Sequence, residues 1–245
     1  MKFQAVIFDL FGTIVDDFAA ASAGSNHAEF PAALGLPYDP FMQHWRLLTD
    51  RRSLGEFQTV EASIEHVCAI VGASVTAEQM ARAVETRLQL TRRALKPRPD
   101  AVTTITQLRH DGFKIGLLSN CSIEIPIIWP ETEFAALFDS TIFSSRERIK
   151  KPAQQIYHLA CQRLGVIPEA CLYIADGENY ELAAAAQVGM QSVLFKTAAL
   201  PREIRREAFE WQGKIIATLS EVLEFSASSA DFETKQHDDS RCHRS

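Results

Sequence analysis

Three short apolar runs in this chain each stop at a residue that carries chemistry. Ala5-Val6-Ile7-Phe8 ends at Asp9 and a Gly12-Thr13 turn; Ile115-Gly116-Leu117-Leu118 ends at Ser119-Asn120; Cys171-Leu172-Tyr173-Ile174 ends at Ala175-Asp176. Short runs rich in β-branched and aromatic residues, bounded by turn residues, read as buried strands rather than helices. Further strands are expected at 140–144 and 191–195. Helical stretches fall between them at about 100–110, 153–164 and 180–188, each followed by a glycine (Gly112, Gly165, Gly189) that stops it. A last amphipathic helix is expected near 201–210 or 214–224. Strands alternating with helices imply a parallel sheet covered on both faces. Such sheets place ligands outside the carboxyl ends of their strands, where Asp9, Ser119 and Asp176 fall.

Residues 16–96 have a different character. Apolar residues recur at helical spacing through Phe41-His44-Trp45-Leu48, Val60-Ile64-Val67-Cys68 and Met80-Val84-Leu88, punctuated by Pro31, Pro37, Pro40, Gly55 and Gly72. About four helices are expected in this insert, which Pro97-Arg98-Pro99 closes. The division is therefore 1–15 with 97–225 as an α/β core, 16–96 as a helical insert, and 226–245 as a Ser-, Asp- and His-rich tail expected to be disordered.

With 245 residues the chain can bury one substantial core and a smaller accessory unit. A net charge of −6 argues against a nucleic-acid partner but leaves room for a small anionic substrate. The five cysteines form no CxxC pair, so a reduced cytoplasmic setting is expected. No apolar stretch is long enough to span a bilayer, and Met1-Lys2-Phe3-Gln4 leads straight into a strand. Neither a leader nor a membrane partner is expected; a monomer or homodimer is.

Asp9 at a strand end is a candidate nucleophile, since a carboxylate can form a covalent intermediate that water later cleaves. The bland alternative is an Asp that shapes the following turn. Thr13 and Ser119 offer hydroxyls, the backbone amide of Asn120 a further donor, and Lys151 before Pro152 a point charge for an anion. Asp176 and Glu181 form an acidic end, and Mg²⁺ needs only one or two carboxylates beside its waters and substrate.

The ordered set Asp9, Ser119, Lys151-Pro152 and Asp176, with Ala175 through Leu182 leading to Gly189-Met190, resembles the haloacid dehalogenase-like hydrolase superfamily. The resemblance covers 5–15 and about 97–195. It implies an α/β fold with a Rossmann-like parallel sheet core in three α/β/α layers, and it makes the insert a helical cap of the first type. It also implies roles. Asp9 attacks; Thr13, Ser119 and Lys151 hold the anion with Gly12 and Asn120. Asp9, the Phe11 carbonyl and Asp176 bind Mg²⁺ with Glu181 nearby. Glu181 stands where the family usually has Asp; it can bind through water, position Lys151, or be a solvated helical residue.

Phe11 departs from the pattern, because most phosphatases of the superfamily carry a second Asp there. That acid protonates the leaving alcohol and then activates water, help worth about 10²–10⁴-fold. Three readings follow. One is a Mg²⁺-dependent phosphohydrolase working through an aspartyl-phosphate. Another is a metal-free 2-haloacid dehalogenase, for which Phe11 is harmless because halide leaves without a proton. Trp45-Arg46 resembles the substrate-gripping arginine of that branch, and Tyr157 its tyrosine. The last is a weakly catalytic binding or regulatory protein. Arg51 and Arg52 are further candidates in the insert for substrate selection.

Overall fold

The computed structural model describes residues 3–16, 27–196 and 206–225. Asp17, the first part of the expected 201–210 helix, and the 226–245 tail with Cys242, His237 and His243 lie outside the described residues. Six strands form one sheet: β1 (Ala5–Phe8), β2 (Lys114–Ser119), β3 (Ser140–Phe143), β4 (Cys171–Ala175), β5 (Gln191–Phe195) and β6 (Lys214–Ile216). Their order is β3-β2-β1-β4-β5-β6, with every pairing parallel. Ile7 stands opposite Gly116 on one side and Tyr173 on the other.

β1 is buried throughout because both of its faces are covered. Val6 and Phe8 point into one apolar cluster with Ile115, Leu117, Ile174 and the helix Ala101–His110. Ala5 and Ile7 point into another with Leu118, Tyr173 and the helix Gln154–Leu164. Alternate side chains thus serve opposite layers, which is why the sequence shows continuous apolar runs rather than alternation. The chain moves outward from β1 through β2 to β3, then returns to β1's other side as β4. That reversal opens a crevice beyond the carboxyl ends of β1 and β4.

The insert contains five described helices: α1 (Glu29–Ala33), α2 (Tyr38–Leu47), α3 (Thr49–Ser53), α4 (Val60–Ile70) and α5 (Ala77–Ala94). About four were expected; α1 and α3 have five residues each, too short to show a 3.6-residue period. The insert has an apolar cluster of its own around Phe30, Phe41, Trp45, Ile64 and Val67. The Trp45 ring lies 4.8 Å from Phe30 and 6.0 Å from Phe41. A capping box of Thr76 and Gln79 starts α5. The segments entering and leaving the insert pair at Val15 and Pro97.

After the insert come α6 (Ala101–His110), α7 (Glu124–Ile128), α8 (Ser144–Glu147), α9 (Gln154–Leu164), α10 (Glu181–Gln187) and α11 (Arg206–Glu210). Of the two places expected for the last helix, the described part of 201–210 holds α11. Within 214–224 the chain forms β6 and a 3-10 turn at Leu219–Leu223 instead. Lys214-Ile215-Ile216 is three residues long, and its pairing with β5 is a tertiary choice that local pattern does not express. No described helix is long and apolar enough to cross a membrane.

Candidate active site

The site is built from four chain segments meeting at the crevice. Asp9 directly follows β1, and its amide continues the ladder to the Ile174 carbonyl at 2.9 Å. The chain then turns at Gly12, whose φ of 78° is costly for a residue with a Cβ. The turn brings Thr13 Oγ1 back to donate to Asp9 Oδ2 at 3.2 Å. Arg98 braces the turn, donating to the Thr13 carbonyl at 2.9 Å and the Gly12 carbonyl at 3.2 Å.

Ser119 closes β2, and Asn120 fastens the next segment. Its Nδ2 donates to the Lys151 carbonyl at 3.0 Å while its Oδ1 accepts from the Lys151 amide at 2.8 Å. That two-way clamp fixes the Lys151 backbone. The Lys151 ammonium lies 2.5 Å from Asp9 Oδ1 and 2.5 Å from Glu181 Oε2.

Glu181 opens α10, whose first amides are capped from a distance: Glu207 accepts from Leu182 N at 3.0 Å and Ala183 N at 2.6 Å. Both Glu181 oxygens are engaged. Oε2 also accepts from Tyr173 OH at 2.6 Å, and Oε1 accepts from the Glu178 amide at 3.1 Å. The Tyr157 hydroxyl donates to the Glu181 carbonyl at 3.0 Å. Asp176 follows β4, and its Oδ1 accepts from the Glu178 amide at 3.2 Å. Oxygens of Asp9, Asp176 and Glu181 lie within 4.8 Å of one another, all buried. A cavity of about 40 Å³ opens among Asp9, Phe11, Asn120 and Lys151 on one side and Glu178, Asn179 and Glu181 on the other.

The electrostatics follow from burial. Desolvation pushes the Asp9 carboxyl up to about 7; Lys151 pulls it down and Glu181 adds to the rise. Burial disfavours a charged Lys151, but the Asp9 and Glu181 carboxylates more than offset it and hold the ammonium charged. Above about pH 7 the ionised Asp9 carboxylate faces the Lys151 ammonium. Burial also raises the Tyr157 and Tyr173 hydroxyls, so both remain donors.

Most candidate residues converge. Asp9, Thr13, Asn120, Lys151, Asp176 and Glu181 share this region, and Phe11 lines the cavity. Gly12 forms the turn, its carbonyl taken by Arg98. The buried Ser119 hydroxyl lies against the Cys121 thiol, where it helps lower a value that burial raises. The Asn120 side chain is committed to Lys151, which leaves only its backbone for a ligand.

Arg46 is the exception. It is exposed on α2, donates to Tyr38 OH at 3.0 Å, and is not among the residues lining the cavity. Adjacent helical residues diverge by about 100°, so burying Trp45 turns Arg46 outward. The buried arginines are Arg52 and Arg87. They bracket Glu124 at 3.7 and 2.7 Å, and Arg52 lies 4.1 Å from the Trp45 ring centroid. The Arg87–Glu124 pair, Tyr173 and Glu207 were not foreseen. Their partners are 37, 8 and 24–25 residues away in sequence, and no local motif marks them.

The family model for haloacid dehalogenase-like hydrolase matches residues 3–189. The chain is 32% identical to the glyceraldehyde 3-phosphate phosphatase of Methanopyrus kandleri, over 40% of this chain and 43% of that protein. It is 24% identical to (S)-2-haloacid dehalogenase 4A of Burkholderia cepacia, over 93% of this chain and 97% of that one. Among solved structures, a 2-haloacid dehalogenase from Pseudomonas syringae superposes with a TM-score of 0.64 at 20% identity, covering 92% of this chain and 99% of that chain.

Proposed function

The chain belongs to the haloacid dehalogenase-like hydrolase family, and from that premise we propose a Mg²⁺-dependent phosphohydrolase acting on a small phosphorylated metabolite through Asp9. The observation that carries this reading is the buried gathering of Asp9, Asp176 and Glu181 oxygens within 4.8 Å. An all-oxygen acidic set suits a hard divalent cation. Asp9 and Asp176 fit such an ion, and the family resemblance adds the carbonyl of Phe11, which lines the cavity. Glu181 fits better as the anchor of Lys151, since its oxygens already accept from Lys151, Tyr173 and the Glu178 amide. When bound, Mg²⁺ neutralises charge on the phosphoryl oxygens.

The chain's own residues do the rest. Asp9 attacks phosphorus with Thr13 and Lys151 holding its orientation. Lys151 also faces the incoming anion, and the buried Ser119 hydroxyl offers it a donor. The insert is read as a cap over the cavity that Asp9, Phe11 and Lys151 help to line. Phe11 gives the leaving group no proton, which favours substrates whose leaving groups depart readily.

A dehalogenase reading draws support from Phe11, since halide needs no proton, and from Tyr157, whose hydroxyl reaches the Glu181 carbonyl. The test is direct. Purified protein should release phosphate from p-nitrophenyl phosphate with Mg²⁺ and lose this with EDTA. Asp9→Asn should reduce it by at least ~10³-fold. EDTA-insensitive chloride release from 2-chloropropionate, without phosphate release, would replace this reading with the second.

A further inference from the structure

We propose that Arg98 is a positioning residue for the reaction: it ties the turn that carries the nucleophile to the place where the insert joins the core. The inference rests on Asp9 as nucleophile, which the phosphohydrolase and dehalogenase readings share.

Arg98 lies on the segment leaving the insert, 85 residues from Thr13 in sequence. Its backbone amide donates to the Ile14 carbonyl at 2.8 Å. Its Nε donates to the Thr13 carbonyl at 2.9 Å and its Nη2 to the Gly12 carbonyl at 3.2 Å. One residue therefore holds three consecutive carbonyls of the turn after Asp9. The amides of that turn are taken up elsewhere: Thr13, Ile14 and Val15 donate to the Leu10 carbonyl at 3.4, 3.0 and 3.0 Å. The third guanidinium nitrogen, Nη1, pairs with Asp16 Oδ1 at 2.9 Å, on the segment entering the insert. The guanidinium carbon lies 5.0 Å from the centroid of the Phe195 ring, at the end of β5. A planar fork can serve such separate acceptors at once; a lysine ammonium is a single point.

Arg98 is not among the residues lining the cavity and acts through Thr13. The Thr13 hydroxyl donates to Asp9 Oδ2 at 3.2 Å, so a shift of the Thr13 backbone moves the partner that orients the nucleophile. Misplacing a reacting group by about 1 Å can cost about 10²-fold in rate. Through Asp16 and the Val15–Pro97 pairing, the same residue also feels how the insert is seated. A merely structural Arg98 would change how much protein is folded, not what the folded protein binds.

The experiment compares wild type, Arg98→Met, Arg98→Lys and Asp16→Asn with p-nitrophenyl phosphate and Mg²⁺, with inorganic phosphate and orthovanadate as inhibitors. Orthovanadate takes a fifth ligand from an attacking oxygen and mimics the transition state; phosphate does not. The ratio of their inhibition constants is independent of the fraction of active enzyme. Arg98→Met should lower kcat about 10²-fold at near wild-type KM and weaken vanadate, but not phosphate, by a similar factor. Arg98→Lys should fall between, and Asp16→Asn should move the ratio the same way by less. An unchanged ratio in both Arg98 variants would overturn the proposal and leave the phosphohydrolase reading intact. An unchanged ratio in Asp16→Asn alone would overturn the link to the insert. If the wild type turns over only 2-chloropropionate, the phosphohydrolase reading falls; the Arg98 variants should then lose kcat for chloride release at near wild-type KM, and wild-type kcat there would overturn the proposal. A wild type that turns over neither substrate would overturn both together.

Discussion

The Lys151 ammonium lies 2.5 Å from the Asp9 carboxylate although 142 residues separate the two in sequence. The contact closes the crevice between β1 and the segment before α9. Because Glu181 binds the same ammonium, Asp9, its counter-ion and the loop after β4 form one unit.

Mg²⁺ should shift the titration of this unit. In the metal-free site burial raises Asp9 to about 7, so NMR of the metal-free protein should show the Asp9 carboxyl titrating near 7. A bound divalent cation favours the ionised form, so adding Mg²⁺ should pull that midpoint down. A midpoint unmoved by saturating Mg²⁺ would contradict Asp9 as a ligand of the ion.

Lys151→Met should cost both stability and turnover. It leaves two buried carboxylates without their cation, and breaking a buried pair from one side typically costs about 3–5 kcal/mol. Urea unfolding should show a lower midpoint, and acid should restore part of the loss by protonating Asp9. A midpoint equal to wild type would show that the ion pair is not formed in solution.

Glu124 should make the protein acid-labile. Burial raises its carboxyl, but Arg87 and Arg52 outweigh that and hold it at about 2, against 4.5 unperturbed. A depressed folded value means stabilisation present above pH ~4.5 and lost as pH falls toward 2, about 3 kcal/mol in all. Glu124→Gln should flatten that dependence and destabilise at neutral pH, because it removes the carboxylate that Arg87 and Arg52 share. Parallel pH–stability curves for variant and wild type would rule the linkage out.

Gly55→Ala should loosen the insert from the core. A Cβ at Gly55 would sit 1.9 Å from the Ser145 carbonyl oxygen, and φ is 67°. The neighbouring Ser53 carbonyl accepts from Ser144 Oγ at 2.6 Å, so this approach fastens α3 to α8. Strain plus overpacking should cost about 1–3 kcal/mol. Hydrogen exchange should show faster exchange at α3 than in wild type; unchanged protection there would contradict the contact.

Much of the core was legible because its signals are local. A strand buried on both faces must be apolar throughout, so β1, β2 and β4 announce themselves, and the residue where each run stops becomes visible. Asp9, Ser119 and Asp176 were found that way, and Lys151 by the proline beside it. The sixth strand was missed because Lys214–Ile216 has three residues and takes its form from β5. Arg46 lies away from the described cavity because resemblance locates a residue along a helix but not around it, and here Trp45 occupies the inward direction.

The amino-acid order alone determined the parallel α/β core, the helical insert and the acids, hydroxyls and lysine at the strand ends. These follow from hydrophobic period and turn chemistry, which act over a few residues. The partners of those groups were decided only in three dimensions: Lys151 shared by Asp9 and Glu181, Tyr173 donating to Glu181, and Arg87 holding Glu124. Buried charges must find compensation at about 3 Å or less wherever the fold supplies it. Distance in space, unlike position along the chain, exists only after the sheet has closed.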